Sequence, residues 1–151
     1  MKLIKTHRDL IVYQKAFEAA MEIFNLSKSF PKEEIYSLTD QIRRSSRSVC
    51  SNIAEAFRRR KYPKSFASKL NESEAEAVET QNWLDFAFKC DYISEEIHNK
   101  LDERYNEIVG MLVAIQKDTR KMEHMIFSSS HPLSAHLLFT SYFSHFTTYE
   151  V

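Results

Sequence analysis

Residues 36–61 read YSLTDQIRRSSRSVCSNIAEAFRRRK, and at the angular period of a helix they divide into an apolar face, a basic face and a serine-rich strip between them. Leu38, Ile42, Val49, Ile53, Ala56 and Phe57 fall within about 100° of one another, the stripe that a core-facing helix needs. Arg43, Arg47, Arg58 and Lys61 gather roughly 140° from the centre of that stripe, with Arg44 beside them, so cations line one exposed edge. Ser45, Ser46, Ser48, Ser51 and Asn52 are small polar residues at which another helix or subunit can approach closely. The stretch therefore predicts a second helix, with Ser37 or Thr39 as its cap and an end near Arg60, ahead of Tyr62-Pro63. A merely solvated charged face is the alternative reading of the basic edge.

Outward from this helix the same periodicity repeats. Upstream, Leu10, Tyr13, Phe17, Ala20 and Phe24 recur at spacings of three and four, predicting a first helix from about Asp9 to Ser29 with those residues as its core stripe. Thr6 or Asp9 is placed to cap it, and Phe30-Pro31 stops it. Downstream, Pro63 suits the first turn of a third helix running to about Lys89, which buries Phe66, Leu70, Ala77, Leu84 and Phe88 with Trp83 on the flank. After the turn Asp91-Tyr92-Ile93-Ser94, Ser94 caps a fourth helix, and Glu95 and Glu96 in its first turn complement the helix dipole. Ile97, Leu101, Tyr105, Ile108, Leu112 and Ile115 carry its stripe to about Met122. Gly110, the only glycine of the chain, lies inside this helix, and close packing against another helix would account for it. Connections of a few residues make sequential helices antiparallel neighbours, so the expected fold is all-α, an up-down-up-down antiparallel four-helix bundle over residues 1–126.

Composition agrees with that fold. One glycine and three prolines in 151 residues leave little material for turns and much for long helices. Cys50 and Cys90 show no ligand spacing and read as reduced, small core or interface residues, which points to a cytoplasmic location. The N-terminus lacks the uniform apolar run of a signal peptide, and no stretch is long and apolar enough for a membrane span. Residues 127–151, FSSSHPLSAHLLFTSYFSHFTTYEV, break the pattern: aromatic, rich in Ser and His, with one charge. They are read as a disordered or loosely docked tail.

The formal net charge of zero conceals segregation. Residues 37–70 hold nine basic and two acidic side chains, a local +7, and residues 71–107 hold three basic and eleven acidic, a local −8. The two segments can pair within the chain, between subunits, or in part with an outside polyanion, and partial self-pairing is the expected case. Glu72, Glu74, Glu76 and Glu79 form either a solvated acidic face or a partner's surface for the arginines.

No catalytic or metal constellation emerges. Glu95-x-x-His98 is a single copy of the motif that di-metal bundles use in pairs, and it sits in a first turn instead of mid-bundle. The other histidines lack metal-ligand spacing, nothing marks a nucleophile, and a chain with one glycine has no phosphate-cradling loop. The expectation is a protein that is not an enzyme and carries no cofactor or metal.

The run Leu38-Thr39-Asp40-Gln41-Ile42-Arg43-Arg44, followed by Ser48-Val49-Cys50-Ser51-Asn52-Ile53-Ala54-Glu55-Ala56, resembles the signature of the four helix bundle protein family. Its members are encoded within intervening sequences of bacterial 23S ribosomal RNA genes and are related to the accessory variability determinant proteins of diversity-generating retroelements. The resemblance covers about Asp9 to Met122 and is tightest in the second helix. Glu76 to Gln81 also sits where the family's third helix carries Glu-x-x-Thr-Gln-like residues. Two positions depart from the pattern: proline is common at Cys50 and glycine at Ala56. Without the proline the second helix is expected to be straighter. The resemblance implies a homo-oligomer, often a pentamer, without catalytic activity, that binds nucleic acid or a protein partner of the reverse-transcriptase type. Arg43, Arg44, Arg47, Arg58, Arg59, Arg60 and Lys61 are then the candidate RNA- or DNA-binding residues, and Ser48, Asn52, Glu55, Glu76 and Glu79 the candidate subunit interface. An oligomeric protein-interaction scaffold, its arginines used in intersubunit salt bridges, is the alternative.

Overall fold

A computed structural model describes the backbone of residues 4–128 and the side chains of residues 4–119. Helix α1 spans Ile11–Leu26, α2 Leu38–Arg59, α3 Pro63–Lys89 and α4 Glu95–Ser128, with single 3-10 turns at His7–Asp9, Ser27–Ser29 and Lys32–Glu34. All regular structure among the described residues is helical, and the chain is a four-helix bundle. The predicted tail lies outside the described residues apart from Phe127 and Ser128, which continue the backbone of α4. That helix outruns its predicted end near Met122 because no proline or glycine interrupts the sequence before Pro132.

Contacts between helices set their directions. Ser73 and Thr80 of α3 meet Val49 and Ser45 of α2, in descending order. Likewise Glu74, Gln81 and Asp85 of α3 meet Gln116, Asp102 and His98 of α4. Lys15 and Glu22 of α1 meet Glu107 and Arg104 of α4. Each partner number falls as the other rises, so these neighbours are antiparallel.

The apolar stripe of α2 is buried as predicted at Leu38, Ile42, Val49, Ile53, Ala56 and Phe57. It meets Phe66, Leu70, Ala77 and Leu84 of α3 and Leu101, Tyr105, Ile108 and Leu112 of α4. In α1 the buried set is Val12, Ala16, Ala19, Ala20 and Ile23; of the predicted stripe only Ala20 is fully buried, while Leu10, Tyr13, Phe17 and Phe24 are not. The two stripes lie about 100° apart on the helix. Three alanines let the backbone of α1 settle close to its neighbours, while Phe17 stays 49% exposed and Tyr13 only packs against the core's edge.

Two members of the serine-rich strip of α2 serve the bundle itself, while Ser51 is exposed. Ser45 and Ser46 are buried, as are Ser73 and Thr80 of α3. Ser73 Oγ donates to the Val49 carbonyl at 2.9 Å. Thr80 Oγ1 meets Ser45 Oγ at 2.9 Å and donates to the Glu76 carbonyl at 2.8 Å. Small side chains here permit the closest helix approach, and their hydroxyls are satisfied by backbone or by each other.

The helix ends differ in part from expectation. Pro63 opens α3 and Ser94 Oγ accepts the Ile97 amide at 3.3 Å, both as predicted. At α2, Ser37 stands at the cap position as predicted but its side chain makes no capping bond; Glu34 reaches forward instead, and its carboxylate accepts the Leu38 amide at 3.2 Å and the Ser37 hydroxyl. At α1, Asp9 turns back to accept the amides of Thr6 and Lys5, so it stabilises the preceding turn and leaves Leu10 at the cap without a side-chain acceptor. Helix α3 closes with Asp91 in the left-handed region at φ 59°. The Asp91 amide donates to Phe88 and the Tyr92 amide to Ala87, the paired bonds of a Schellman ending, in which glycine is the usual residue. Gly110 is exposed, and a Cβ built there meets nothing within 4 Å, so no close helix approach within the chain explains it.

Candidate nucleic-acid interface

Because α2 turns its apolar stripe inward, its cations are held outward, but the seven candidates do not share one environment. Arg43 and Arg47 lie on the α1 side. Arg43 Nε donates to Ser27 Oγ at 2.7 Å, and the two guanidinium carbons stand 5.1 and 5.6 Å from the centroid of the Phe24 ring. Lys28 Nζ is over the same ring at 4.6 Å. Arg44 is exposed on the α3 side, where its charge acts on Glu76. Arg58 and Lys61 are exposed at the far end, with Arg58 about 16 Å along the axis from Arg47.

Two of the seven are engaged locally. Arg59 meets Glu55 at 3.5 Å and Ser65 Oγ at 3.4 Å. Arg60 folds back over its own helix end, donating to the Phe57 carbonyl at 2.7 Å with its guanidinium 4.1 Å from the Phe57 centroid. It is the helix's C-terminal cap as well as a surface charge.

The candidate interface residues are also divided. Asn52 and Glu55 are occupied by Lys69, whose Nζ lies 3.3 Å from Asn52 Oδ1 and 3.1 Å from Glu55 while also bonding Glu72. The hydrogen bonds that Lys69 donates to Glu72 and then to Glu55 push its pKa up. Ser48 is half-buried. Glu79 accepts from Trp83 Nε1 at 3.1 Å. Glu76 has its carboxyl pushed up, first by burial and then by Glu79, with Arg44 opposing and Glu72 adding. Like-charge crowding thus exceeds what Arg44 neutralises on the acidic face.

Self-pairing of the charged segments is slight. Among the described residues, Lys69 with Glu72 is the ion pair that joins the +7 segment to the −8 segment. The bridges to helix-four residues come from α1, at Lys15–Glu107, Lys100–Glu22 and Arg104–Glu22, together with Asp85–His98 from α3. Arg43, Arg44, Arg47, Arg58, Arg60 and Lys61 form no ion pair among the described residues.

The remaining chemistry-bearing groups have structural positions. Cys50 is buried and its thiol is pushed up to about 11 by burial, whereas Cys90 is exposed and so is not a core residue. His98 of the Glu95-x-x-His98 motif bonds Asp85 at 2.7 Å. No group of three potential ligands stands together among the described residues. No helix of these residues is long and apolar enough to cross a membrane.

Phe24, Ser27 and Lys28 belong to the basic surface but do not stand out in the α2 sequence, because Phe24 comes from α1 and Ser27 and Lys28 from the 3-10 turn that follows it. The local signal is the four-residue spacing of Phe24 and Lys28, which places a cation over a ring on one helix face.

Comparison with known proteins places this architecture. A search of curated proteins gives no match. The chain is similar to the crystal structure of a protein of unknown function from the S23 ribosomal protein family of Bacteroides thetaiotaomicron VPI-5482, at 33% sequence identity and a TM-score of 0.65, over 71% of this chain and 96% of that one. Residues 8–114 match the family model described as 23S rRNA-intervening sequence protein. With α2 and most of the bundle inside that match, this chain belongs to the 23S rRNA-intervening sequence protein family.

Proposed function

We propose that this chain is a non-enzymatic, oligomeric bundle that binds nucleic acid, RNA or DNA, through the basic surface of α2. The observation that carries the reading is the unspent charge: of the seven candidate cations, only Arg59 has a carboxylate within 4 Å among the described residues. A row of uncompensated cations on a rigid helix attracts phosphates and gains affinity by releasing their counterions. The surface offers few groups for reading bases, so binding is expected to be largely independent of sequence.

The test is a salt titration of binding to RNA and DNA oligonucleotides. The logarithm of affinity should fall linearly with the logarithm of salt concentration, with several phosphates neutralised. Absence of binding at low salt, or binding insensitive to salt, overturns the reading.

An oligomeric scaffold that binds protein alone is favoured by a different observation. Phe17, Met21, Val78 and Phe86 are large apolar side chains between 42% and 52% exposed, and Glu76 and Glu79 form no ion pair among the described residues. On this reading Arg43→Gln with Arg47→Gln dissociates the oligomer in sedimentation, and nucleic-acid binding is weak throughout.

A further inference from the structure

The cations over Phe24 are the part of the basic surface that is built, not merely exposed. Lys28 comes from the 3-10 turn that follows α1, Arg43 and Arg47 from α2, and all three stand within 6 Å of the Phe24 ring centroid. Lys28 Nζ is steadied by Asn25 Oδ1 at 2.9 Å, and Arg43 by Ser27 Oγ through Nε, which leaves the terminal nitrogens of Arg43 without a hydrogen bond among the described residues. Lys28 and Arg47 are exposed, Arg43 and Phe24 half-buried.

What holds three like charges together matters. A carboxylate in the middle would gather them and cancel part of their charge. A phenyl face attracts cations through its quadrupole yet carries no net charge. Asn25 and Ser27 are likewise neutral. The cluster is therefore organised without being neutralised, and no member forms an ion pair among the described residues. Arginine forks suit phosphate oxygens, and lysine adds a point charge.

We propose that Lys28, Arg43 and Arg47, gathered over Phe24 at the seam of α1 and α2, form a phosphate-binding subsite that takes the phosphodiester backbone of a nucleic acid. It rests on the nucleic-acid reading above and narrows it: the grip lies on this seam and includes α1, while Arg59 and Arg60 stand outside it. The ring serves the cations, so it is not a platform for stacking bases.

The test compares variants of the full chain in salt-dependent RNA binding, with circular dichroism as the folding control. Lys28→Gln and Arg47→Gln, both at exposed positions, should each weaken binding and lower the salt slope by about 0.7 to 0.9. Phe24→Leu should weaken binding about two- to fivefold with the slope unchanged, because the charges remain and only their arrangement is lost. Phe24→Glu should lower the slope. Arg58→Gln with Lys61→Gln is the comparison at the other end of α2. If that pair weakens binding while the Lys28 and Arg47 variants leave affinity and slope unchanged, the nucleic-acid reading survives and the subsite is overturned. If the wild type binds no nucleic acid, inorganic pyrophosphate decides. Shifts of the Arg43 and Arg47 Nε–H resonances that vanish in Phe24→Glu uphold the subsite without the nucleic acid, and no shifts overturn it.

Discussion

The Tyr92 hydroxyl donates to Glu34 Oε1 at 3.1 Å, joining the connection between α1 and α2 to the turn between α3 and α4 at one end of the bundle. Since the same carboxylate caps α2, one side chain ties three elements together. The Ser37 hydroxyl and then the Leu38 amide hold the Glu34 pKa below its ordinary 4.5 against the opposing effect of burial, with Tyr92 adding least. A depressed acid contributes stability above its unfolded pKa and loses it as pH falls through the folded one. The hydrogen bond to Glu34, followed by burial, raises the Tyr92 pKa above 10.0, a contribution present below that value and lost as pH rises through the folded pKa. Thermal unfolding of Glu34→Gln should show a lower midpoint near neutrality and a shallower fall than wild type on acidification. Equal acid dependence in the two proteins contradicts the assignment.

His98 gives the opposite sign near neutrality. Burial works to lower its pKa, but hydrogen bonds to Asp85 and Asn99, with the charges of Asp85 and Asp102, outweigh burial and raise it above 6.5. The protonated form is favoured in the folded state, so this link between α3 and α4 is fully present below the ordinary pKa and lost as pH rises through the raised one. In Asp85→Asn the His98 ring should titrate at lower pH by NMR, and stability should lose its small decline in that window. An unchanged titration contradicts the pairing.

Tyr105 is fully buried and its hydroxyl makes no hydrogen bond of good geometry among the described residues, although Thr80 is adjacent. A buried unsatisfied hydroxyl is a cost that its removal relieves. Tyr105→Phe should be neutral or stabilise the bundle by up to about 1 kcal/mol in urea unfolding. Tyr105→Ala should cost about 3–5 kcal/mol through the cavity it leaves. A large loss in the phenylalanine variant means that the hydroxyl has a partner.

Gly110 has room for a methyl group and sits within a 34-residue helix. Gly110→Ala should stabilise the protein by about 0.5–1 kcal/mol, since glycine loses the most backbone freedom on folding. Chemical denaturation of the two proteins measures it. Destabilisation together with a smaller assembly in sedimentation would instead place Gly110 against another subunit.

The helices are legible in the sequence because their signals are local. The periodic stripes of α2, α3 and α4, Pro63 at the start of α3, Phe30-Pro31 after α1 and Ser94 before α4 each act within a few residues of chain. Short connections then led to the bundle. Tertiary structure decided what periodicity leaves open. In α1 two apolar stripes repeat at helical spacing, and only packing against α2 and α4 selected the one with small residues, leaving Phe17 half-exposed. The cap of α2 came from Glu34 because the chain folds back there after Pro31. In the candidate site, the arginines were legible as exposed charge on one helix. Their division was not, since Ser27 and Phe24 reach Arg43 from outside α2, and Lys69 of α3 shares Glu55, the partner of Arg59. A helix's own sequence sets which side chains share a face, and only its neighbours decide whether the charge on that face is spent.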